Sequence, residues 1–163
     1  MVSPFFKKRK FHKLVDLDAC LNGMGAVCGK QIYQTSVPYQ FLGHNIATIE
    51  MLNILVSLNI WADQWNSTVV RIACDNEAVV KVLNSGHTRC PHLGAIARNI
   101  FMKAAKNDIA LHIVHIPGKE NNIADLLSRW DGSNAHKIKL DSLISDYQWK
   151  EVSCSHKMVD HDI

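Results

Sequence analysis

The sequence lacks any apolar stretch long enough to cross a membrane. Of its 163 residues, 47% are hydrophobic and 20% are charged, which is typical of a globular protein with a substantial core. No apolar run approaches the roughly 18 residues of a membrane-spanning helix. The basic N-terminal residues are not followed by the apolar segment of a secretory signal. We therefore expect an intracellular protein, cytoplasmic or nuclear, with no membrane partner.

Paired cysteines are missing as well. The cysteines are odd in number, and no two of them are spaced as C-x-x-C: Cys20, Cys28, Cys74, Cys90 and Cys154. This pattern argues against a disulfide framework and against a structural zinc site. We expect most of these cysteines to act as small core residues in a reducing compartment.

A strong excess of one charge is also absent, because the formal net charge is only +3. This balance alone does not indicate a nucleic-acid partner. The densest basic feature is the run Lys7–Lys10, which fits a nuclear-import signal or an arm that binds a nucleic-acid backbone. The alternative that we favour is a solvated basic linker, and we assign residues 1–12 to it.

Three short strands are predicted where the domain begins, at Lys13–Cys20, Met24–Gly29 and Gln31–Thr35. Asn22-Gly23, between the first two, is a hairpin-type turn signal. Strands this close along the chain must be antiparallel, because a parallel pair needs a crossover of about a dozen residues.

Strands and helices alternate through the rest of the domain. Apolar residues at helical spacing predict helices at Asn45–Trp65, Glu77–Leu83, His92–Lys106 and Asn122–Arg129. Apolar, partly β-branched runs predict strands at Thr68–Cys74 and Ile109–Ile116. This order predicts an α/β fold with a mixed sheet, three antiparallel strands followed by parallel strands, flanked by helices. We place the domain at residues 13–130, and we expect residues 131–163 to be a C-terminal tail, either a linker or a helix that docks on the core.

Four of the fifteen carboxylates occupy unusual positions: Asp18, Glu50, Asp75 and Asp125. The first lies within an apolar strand, the second beside the apolar face of the long helix, the third at a strand end and the fourth at a helix start. A buried lone carboxylate costs several kcal/mol unless it is paired or bound to a metal. We expect the four acids to converge at one end of the sheet, where hard divalent cations, Mg²⁺ or Mn²⁺, would relieve their repulsion.

Each of these positions also has an ordinary structural explanation. Asp18 fits a strand-end acid, and Glu50 fits a residue on a helix surface. Asp75 fits the N-cap of the next helix, and Asp125 fits a first-turn acid that faces the helix dipole. His115 fits a strand histidine with a satisfied hydrogen bond. The argument for a site therefore depends on the order of these residues and on the motifs around them.

Those motifs resemble the ribonucleases H of retroelements. The matching segments are D-A-C-L-N-G-M-G-A-V at 18–27, T-I-E-M-L at 48–52, A-C-D-N-E-A-V-V at 73–80 and H-I-P-G-K-E-N-N-I-A-D-L-L-S-R at 115–129. The last is similar to the signature H-x-P-G-x-x-N-x-x-A-D-x-L-S-R of ribonucleases H linked to a reverse transcriptase. The segment V-L-N-S-G-H-T-R-C-P-H-L at 82–93 resembles elements of the DIRS group, and a gypsy-like element is the alternative. Cys20 departs from the pattern, because the family usually has serine there.

The resemblance implies a ribonuclease H-like fold with five strands and an endonuclease that cuts the RNA strand of an RNA–DNA hybrid. It implies that Asp18, Glu50, Asp75 and Asp125 hold two Mg²⁺ or Mn²⁺ ions, with Asp16 as the fallback for Asp18. Two such ions clamp the scissile phosphate and leave a 5′ phosphate and a 3′ hydroxyl. His115 is implied to shuttle a proton or to assist product release.

The implied substrate demands contacts to 2′-hydroxyl groups across a wide, shallow minor groove. The candidates for these contacts are Asn22, Asn76 and Asn121, of which Asn121 fits a helix cap equally well. The short link between residues 86 and 92 leaves no room for an additional basic helix, so grip on the hybrid would come from flanking residues or from a reverse transcriptase domain.

Two other readings remain open at this stage. The chain could be a degenerate or co-opted domain that binds nucleic acid or a polymerase without cleaving. It could also be an integrase-like or transposase-like nuclease, because these enzymes use carboxylates on a related sheet, although their patterns lack the motif at 115–129. The sequence leaves the oligomeric state undefined.

Overall fold

The structure of the protein is a computed structural model that describes residues 12–117, 122–129 and 133–160. The basic run Lys7–Lys10 lies outside these residues. Within them, the strands are β1 (His12–Ala19), β2 (Gly23–Cys28), β3 (Gln31–Ser36), β4 (Val69–Cys74), β5 (Ala110–His115) and β6 (Gln148–Trp149). The α-helices are α1 (Ile46–Trp61), α2 (Glu77–Ser85), α3 (Pro91–Lys106), α4 (Asn122–Ser128) and α5 (Asn134–Ile144). Across these ranges, no helix combines the length and the apolar character that a bilayer crossing requires.

The strands form one mixed sheet in the order β5-β4-β1-β2-β3-β6. β1 and β2 are antiparallel, as are β2 and β3, whereas β1 pairs with β4, β4 with β5, and β3 with β6 in parallel. The predicted α/β fold, with antiparallel strands followed by parallel strands and flanking helices, is confirmed. The predicted count of five strands is wrong by one, because β6 has two residues and alternation cannot be recognised over so short a segment.

The long helix α1 is shorter than the sequence predicts. It begins after Asn45, whose Oδ1 accepts a hydrogen bond of 2.9 Å from the backbone N–H of Thr48. It ends at Trp61 rather than at Trp65. The chain turns there, and the N–H of Trp65 donates to the carbonyl oxygens of both Trp61, at 3.0 Å, and Ala62, at 3.2 Å.

Helix α1 is the centre of the core. Every residue from Thr48 to Leu58 is buried, because the sheet covers one side of the helix and α3 packs on another. A helix that is apolar around most of its circumference is stable only in such an enclosed position. Four polar residues are nevertheless buried with it: Thr48, Glu50, Asn53 and Ser57.

Helices α4 and α5 cover the opposite face of the sheet. Successive residues of a strand point to opposite faces. Tyr33 of β3 accordingly packs in the α1 core, whereas its neighbour Ile32 packs with Leu127 of α4 and with Leu140 and Ile144 of α5. Glu50 on α1 and Asp125 on α4 therefore lie on opposite sides of the sheet.

Residues 148–160, which we call the C-terminal strap, pass around the β3 edge and return to the α1 side. The strap begins with β6 on β3, continues through the 3₁₀ turn Cys154–Lys157 against α1, and ends with Val159 buried in the main core. The described part of residues 131–163 packs on the sheet and on α1, through α5 and through the strap. The boundary at residue 130 stays a prediction.

Two asparagine side chains hold the strap to the helices. Asn99 of α3 receives the N–H of Asp160 on its Oδ1 at 2.7 Å and donates from Nδ2 to the carbonyl oxygen of Asp160 at 3.3 Å. Asn59 of α1 donates from Nδ2 to the carbonyl oxygen of His156 at 2.8 Å. Neutral amides thus satisfy backbone groups that have no sheet partner.

Candidate active site

The four candidate carboxylates line one cleft at an end of the sheet, which we call the acidic cleft. Strands β1 and β4 are parallel neighbours, so their ends bring Asp18 and Asp75 to the same edge. Helix α1 brings Glu50 from one face of the sheet, and helix α4 brings Asp125 from the other. The convergence that the sequence analysis predicts is therefore present in the structure.

Glu50 is the most enclosed of the four acids, with 2% of its surface exposed. Its Oε1 accepts a hydrogen bond of 3.1 Å from the backbone N–H of Ala19, at the end of β1. Burial, followed by the charges of Asp18 and Asp75, raises the pKa of Glu50 from 4.5 to about 9. The side chain is therefore held in place but is electrostatically unfavourable as a free carboxylate.

Asp18 is also buried, and its Oδ2 accepts a hydrogen bond of 3.1 Å from Ser128 Oγ. Burial, with the charges of Asp75 and Asp125 and a hydrogen bond to Asp125, raises the pKa of Asp18 to about 6. The fallback residue Asp16 lies elsewhere, in a groove between β1 and the helices α4 and α5. Asp18 is thus the β1 acid that faces the other three.

Asp125 reaches the cleft because α4 lies directly on β2. A Cβ atom at Gly23 would collide with the backbone oxygen of Ser128, and one at Gly25 would collide with the Cβ of Leu127. Both glycines are required for this close approach rather than for a turn. The Nε of Arg129 donates to Asp125 Oδ1 at 2.8 Å, in an ion pair that is largely exposed.

His115 lies at the end of β5 and is exposed. Its Nε2 is 3.1 Å from the main-chain oxygen of Asp75, so the ring is anchored next to the β4 acid rather than between the carboxylates.

The predicted substrate-contact residues differ in position. Asn76 lines the acidic cleft and also caps α2, because its Oδ1 accepts from the N–H of Val79 at 3.1 Å. Asn22 is in the β1–β2 turn, where its Oδ1 accepts from the Cys20 thiol at 3.0 Å. Asn121 lies outside the described residues.

Sequence reasoning missed three residues that support these acids. Ser128 and Arg129 were part of the terminal motif but received no role, although they bond to Asp18 and Asp125. Asn53 lies within the helix predicted at Asn45–Trp65, and its Nδ2 donates to main-chain oxygens of β1 and β2. A polar residue one turn after Glu50 on an otherwise apolar face was the available signal.

The donor set of the cleft fits a hard divalent cation. Atoms of Glu50, Cys74 and Asp75 that could ligate a metal all lie within 4.8 Å of one another. Burial and the Glu50 charge raise the pKa of the Cys74 thiol well above its usual range, which disfavours the thiolate, and hard cations such as Mg²⁺ and Mn²⁺ prefer the carboxylate oxygens. Two buried acids with raised pKa values are the arrangement that a bound cation would stabilise.

Comparison with known proteins shows similarity in structure but not in sequence. Neither a protein-family model nor a curated protein matches the chain. Ribonuclease H1 from the halophilic archaeon Halobacterium salinarum NRC-1 matches with a TM-score of 0.57 and 20% identity, covering 71% of this chain and 92% of that one. LC11 ribonuclease H1, solved in complex with an RNA/DNA hybrid, matches with a TM-score of 0.54 and 19% identity, covering 71% and 91%.

A third structure is the foamy viral protease–reverse transcriptase in complex with an RNA/DNA hybrid, with a TM-score of 0.49 and 19% identity, covering 78% of this chain and 20% of that one. At these identities the two ribonucleases H1 report on the fold. Their match agrees with the mixed sheet, its strand directions and its flanking helices. The chain therefore has the ribonuclease H fold.

Proposed function

We propose that this chain is a metal-dependent ribonuclease H that hydrolyses the RNA strand of RNA–DNA hybrids. The observation that carries the proposal is the acidic cleft, where four carboxylates from different elements meet and two of them are buried with raised pKa values. A fold does not fix a function, so the argument rests on this site. Perturbed acids gathered in a cleft are the usual mark of a functional centre.

The residues that would hold two Mg²⁺ or Mn²⁺ ions are Asp18, Glu50, Asp75 and Asp125. When bound, such ions neutralise the charge on a scissile phosphate, lower the pKa of a water and stabilise the leaving oxygen. The protein's part is to fix its ligands in advance. The N–H of Ala19 orients Glu50, and Ser128 Oγ orients Asp18.

The remaining polar residues would handle protons and substrate. His115, anchored at the main-chain oxygen of Asp75, would carry a proton away from the reacting centre or to the leaving group. Asn76, which lines the cleft beside Asp75, would contact a ribose, and Asn22 and Asn121 are further candidates for the same contact. Contacts to phosphates should make hybrid binding weaken as salt rises.

We further propose that the activity belongs to reverse transcription in a retroelement of DIRS-like or gypsy-like type. This part rests on the motif at 115–129 and on the segment at 82–93. A reverse transcriptase domain would then be the natural partner, and it would supply grip on the hybrid that the short link between α2 and α3 does not offer.

The test is cleavage of an RNA–DNA hybrid labelled on the RNA strand, with Mg²⁺ or Mn²⁺, by the wild-type chain and by Asp75→Asn. We expect RNA cleavage that requires the metal and falls by more than about 100-fold in the variant, since losing a ligand exceeds the 10–100-fold typical of losing a residue that supports one. Asp63→Asn is the matched control, because it removes the same charge at an exposed turn after α1.

Three outcomes would contradict the proposal. Equal cleavage by wild type and Asp75→Asn would point to a contaminating nuclease. Cleavage of duplex DNA rather than of the hybrid would favour an integrase-like enzyme. Salt-sensitive binding of the hybrid without cleavage, at any metal concentration, would favour a co-opted domain that only binds.

A further inference from the structure

Asn53 is a fully buried amide next to the acidic cleft that the proposed chemistry does not use. It lies on α1 three residues after Glu50, so both side chains lie on the same face of the helix. None of its surface is exposed. Its amide bonds to the strands of the sheet and not to the backbone of α1.

The hydrogen bonds of Asn53 join three separate strands. Its Nδ2 donates to the carbonyl oxygen of Asp18 on β1 at 2.9 Å and to that of Gly25 on β2 at 3.0 Å. Its Oδ1 accepts from the hydroxyl of Tyr33 on β3, which is itself fully buried. Both donor hydrogens and an acceptor lone pair of the amide are therefore used within the sheet.

These bonds attach the helix that carries Glu50 to the residue that carries the Asp18 carboxylate. Asp18 and Gly25 are directly paired across β1 and β2, so the amide fixes the backbone pair at the cleft end of the sheet. The Asp18 charge is among those that disfavour ionised Glu50. Two acids that repel each other will move apart unless neutral groups hold their backbones together.

Ser57 provides the comparison within the same helix. It is equally buried, but its Oγ donates to the carbonyl oxygen of Ile54, three residues earlier in α1. That bond stays within the helix and does not involve the sheet. The two residues are four positions apart, so they share a face and differ in what they connect.

We propose that Asn53 is a positioning residue that holds Asp18 and Glu50 at the separation a metal ion requires. The proposal rests on the proposed function, since it concerns the same metal site. Asn53 itself touches neither metal nor substrate. Its effect is to organise the ligands before the ion arrives, so the ion does not have to draw them together.

The test measures metal binding directly, by calorimetric titration of the full chain with Mn²⁺ and no nucleic acid. We expect Asn53→Leu to weaken Mn²⁺ binding by about 10-fold or more, the size seen when groups that orient metal ligands are removed. Tyr33→Phe removes the hydroxyl that donates to the amide oxygen, and we expect a smaller but measurable loss of Mn²⁺ affinity, because both Nδ2 bonds remain. Ser57→Ala should bind Mn²⁺ like wild type even if its melting temperature falls.

The control separates positioning from general stability. If Asn53→Leu folds and binds Mn²⁺ within twofold of wild type, the proposal is wrong. If Asn53→Leu does not fold, the test depends on Tyr33→Phe. A Mn²⁺ affinity equal to that of wild type in Tyr33→Phe would then overturn the proposal. A wild-type chain that binds no Mn²⁺ refutes both proposals, whereas one that binds Mn²⁺ without cutting the hybrid refutes only the proposed function.

Discussion

The acidic cleft and the groove that holds the C-terminal strap are both built on α1, and they are stabilised in opposite ways. In the cleft, Glu50 and Asp18 are buried with raised pKa values, and among the described lining residues the basic group is Arg129, which is largely exposed. At the strap, Asn59 and Asn99 use neutral amides to satisfy backbone groups.

The contacts of α1 with the strap therefore stabilise the folded state, whereas the buried acids of the acidic cleft destabilise it. Buried charges without compensating partners destabilise a fold, while satisfied neutral amides are tolerated at little cost. Natural proteins keep such local conflicts mainly at functional sites. We therefore expect substitutions at the strap to change stability alone, and neutralising substitutions of the buried cleft acids to change stability and metal binding in opposite directions.

The largest effect is expected from Gly25→Ala, which disturbs the packing of α4 on β2 and thereby the position of Asp125 in the acidic cleft. The new methyl group would collide with Leu127 and move the helix that carries Asp125, at a cost of about 1–3 kcal/mol in unfolding free energy. Hybrid cleavage should be lost as well. Gly94→Ala is the control, because a Cβ there would meet only ordinary contacts of 3.5 Å and beyond, and α3 should gain about 0.5–1 kcal/mol. Chemical denaturation measures both, and equal stability of the two variants would contradict the packing argument.

Glu50→Gln is expected to raise the stability of protein stripped of metal, by less than Gly25→Ala lowers it. Because the pKa of Glu50 is raised from 4.5 to about 9, the folded protein binds a proton that the unfolded chain releases, so stability falls as pH rises between these values. The variant removes this loss and should melt at a higher temperature than wild type at pH 8 in EDTA.

Adding Mn²⁺ should reverse the order of the two melting temperatures. Wild type is stabilised by metal binding, whereas Glu50→Gln, which lacks one proposed ligand, is stabilised little. Calorimetric melting with EDTA and with Mn²⁺ supplies the comparison. A variant that melts below wild type in EDTA would show that the Glu50 carboxylate is not under electrostatic strain.

A moderate effect confined to the strap is expected from Asn99→Ala. It removes the two hydrogen bonds to the backbone of Asp160 and should lower the unfolding free energy by about 1–2 kcal/mol. Mn²⁺ affinity should stay unchanged. Asn107→Ala is a fitting control, because Asn107 caps the C-terminus of α3 and its amide donates to the carbonyl oxygen of Lys103 there, away from the strap. A weakened metal site in Asn99→Ala would show that strap and cleft are not independent.

The smallest effect is expected from Asp146→Asn, which removes an ion pair of 2.9 Å with Lys30. Both side chains are about two-thirds exposed, and such pairs contribute little. The pKa of Asp146 is lowered by Lys30, so any stabilisation is present at neutral pH and lost as pH falls through that lowered pKa. Thermal melts at pH 7 should coincide within error for wild type and variant, and a clear difference would mean that the pair is more than a surface contact.

The architecture was predictable because its elements are long and periodic. The antiparallel hairpins, α1, the parallel strands and the convergence of Asp18, Glu50, Asp75 and Asp125 all follow from local patterns. The end of α1 was misplaced by four residues, since Trp65 is buried like a helical core residue while its N–H bonds within a turn.

The support of the site was not predictable in the same way. The need for Gly23 and Gly25 comes from α4, about a hundred positions further along the chain, and no local pattern reports that contact. The role of Asn53 depends on which carbonyl oxygens the sheet brings beneath it. The strap is held by single amides at irregular spacing, so it leaves no periodic trace in the sequence.

The pairing of β6 with β3 also bears on how copies of this protein meet in solution. An exposed edge strand invites the edge of another molecule to add to the sheet. Here the backbone N–H groups of Gln148 and Lys150 donate to the carbonyl oxygens of Lys30 and Ile32, respectively, at one end of that edge, each at 2.7 Å. At the other end, Lys157 Nζ donates to the carbonyl oxygen of Ser36 at 3.4 Å. The strap thereby covers β3 at both ends, which limits the length of this edge that a strand of another molecule could pair with.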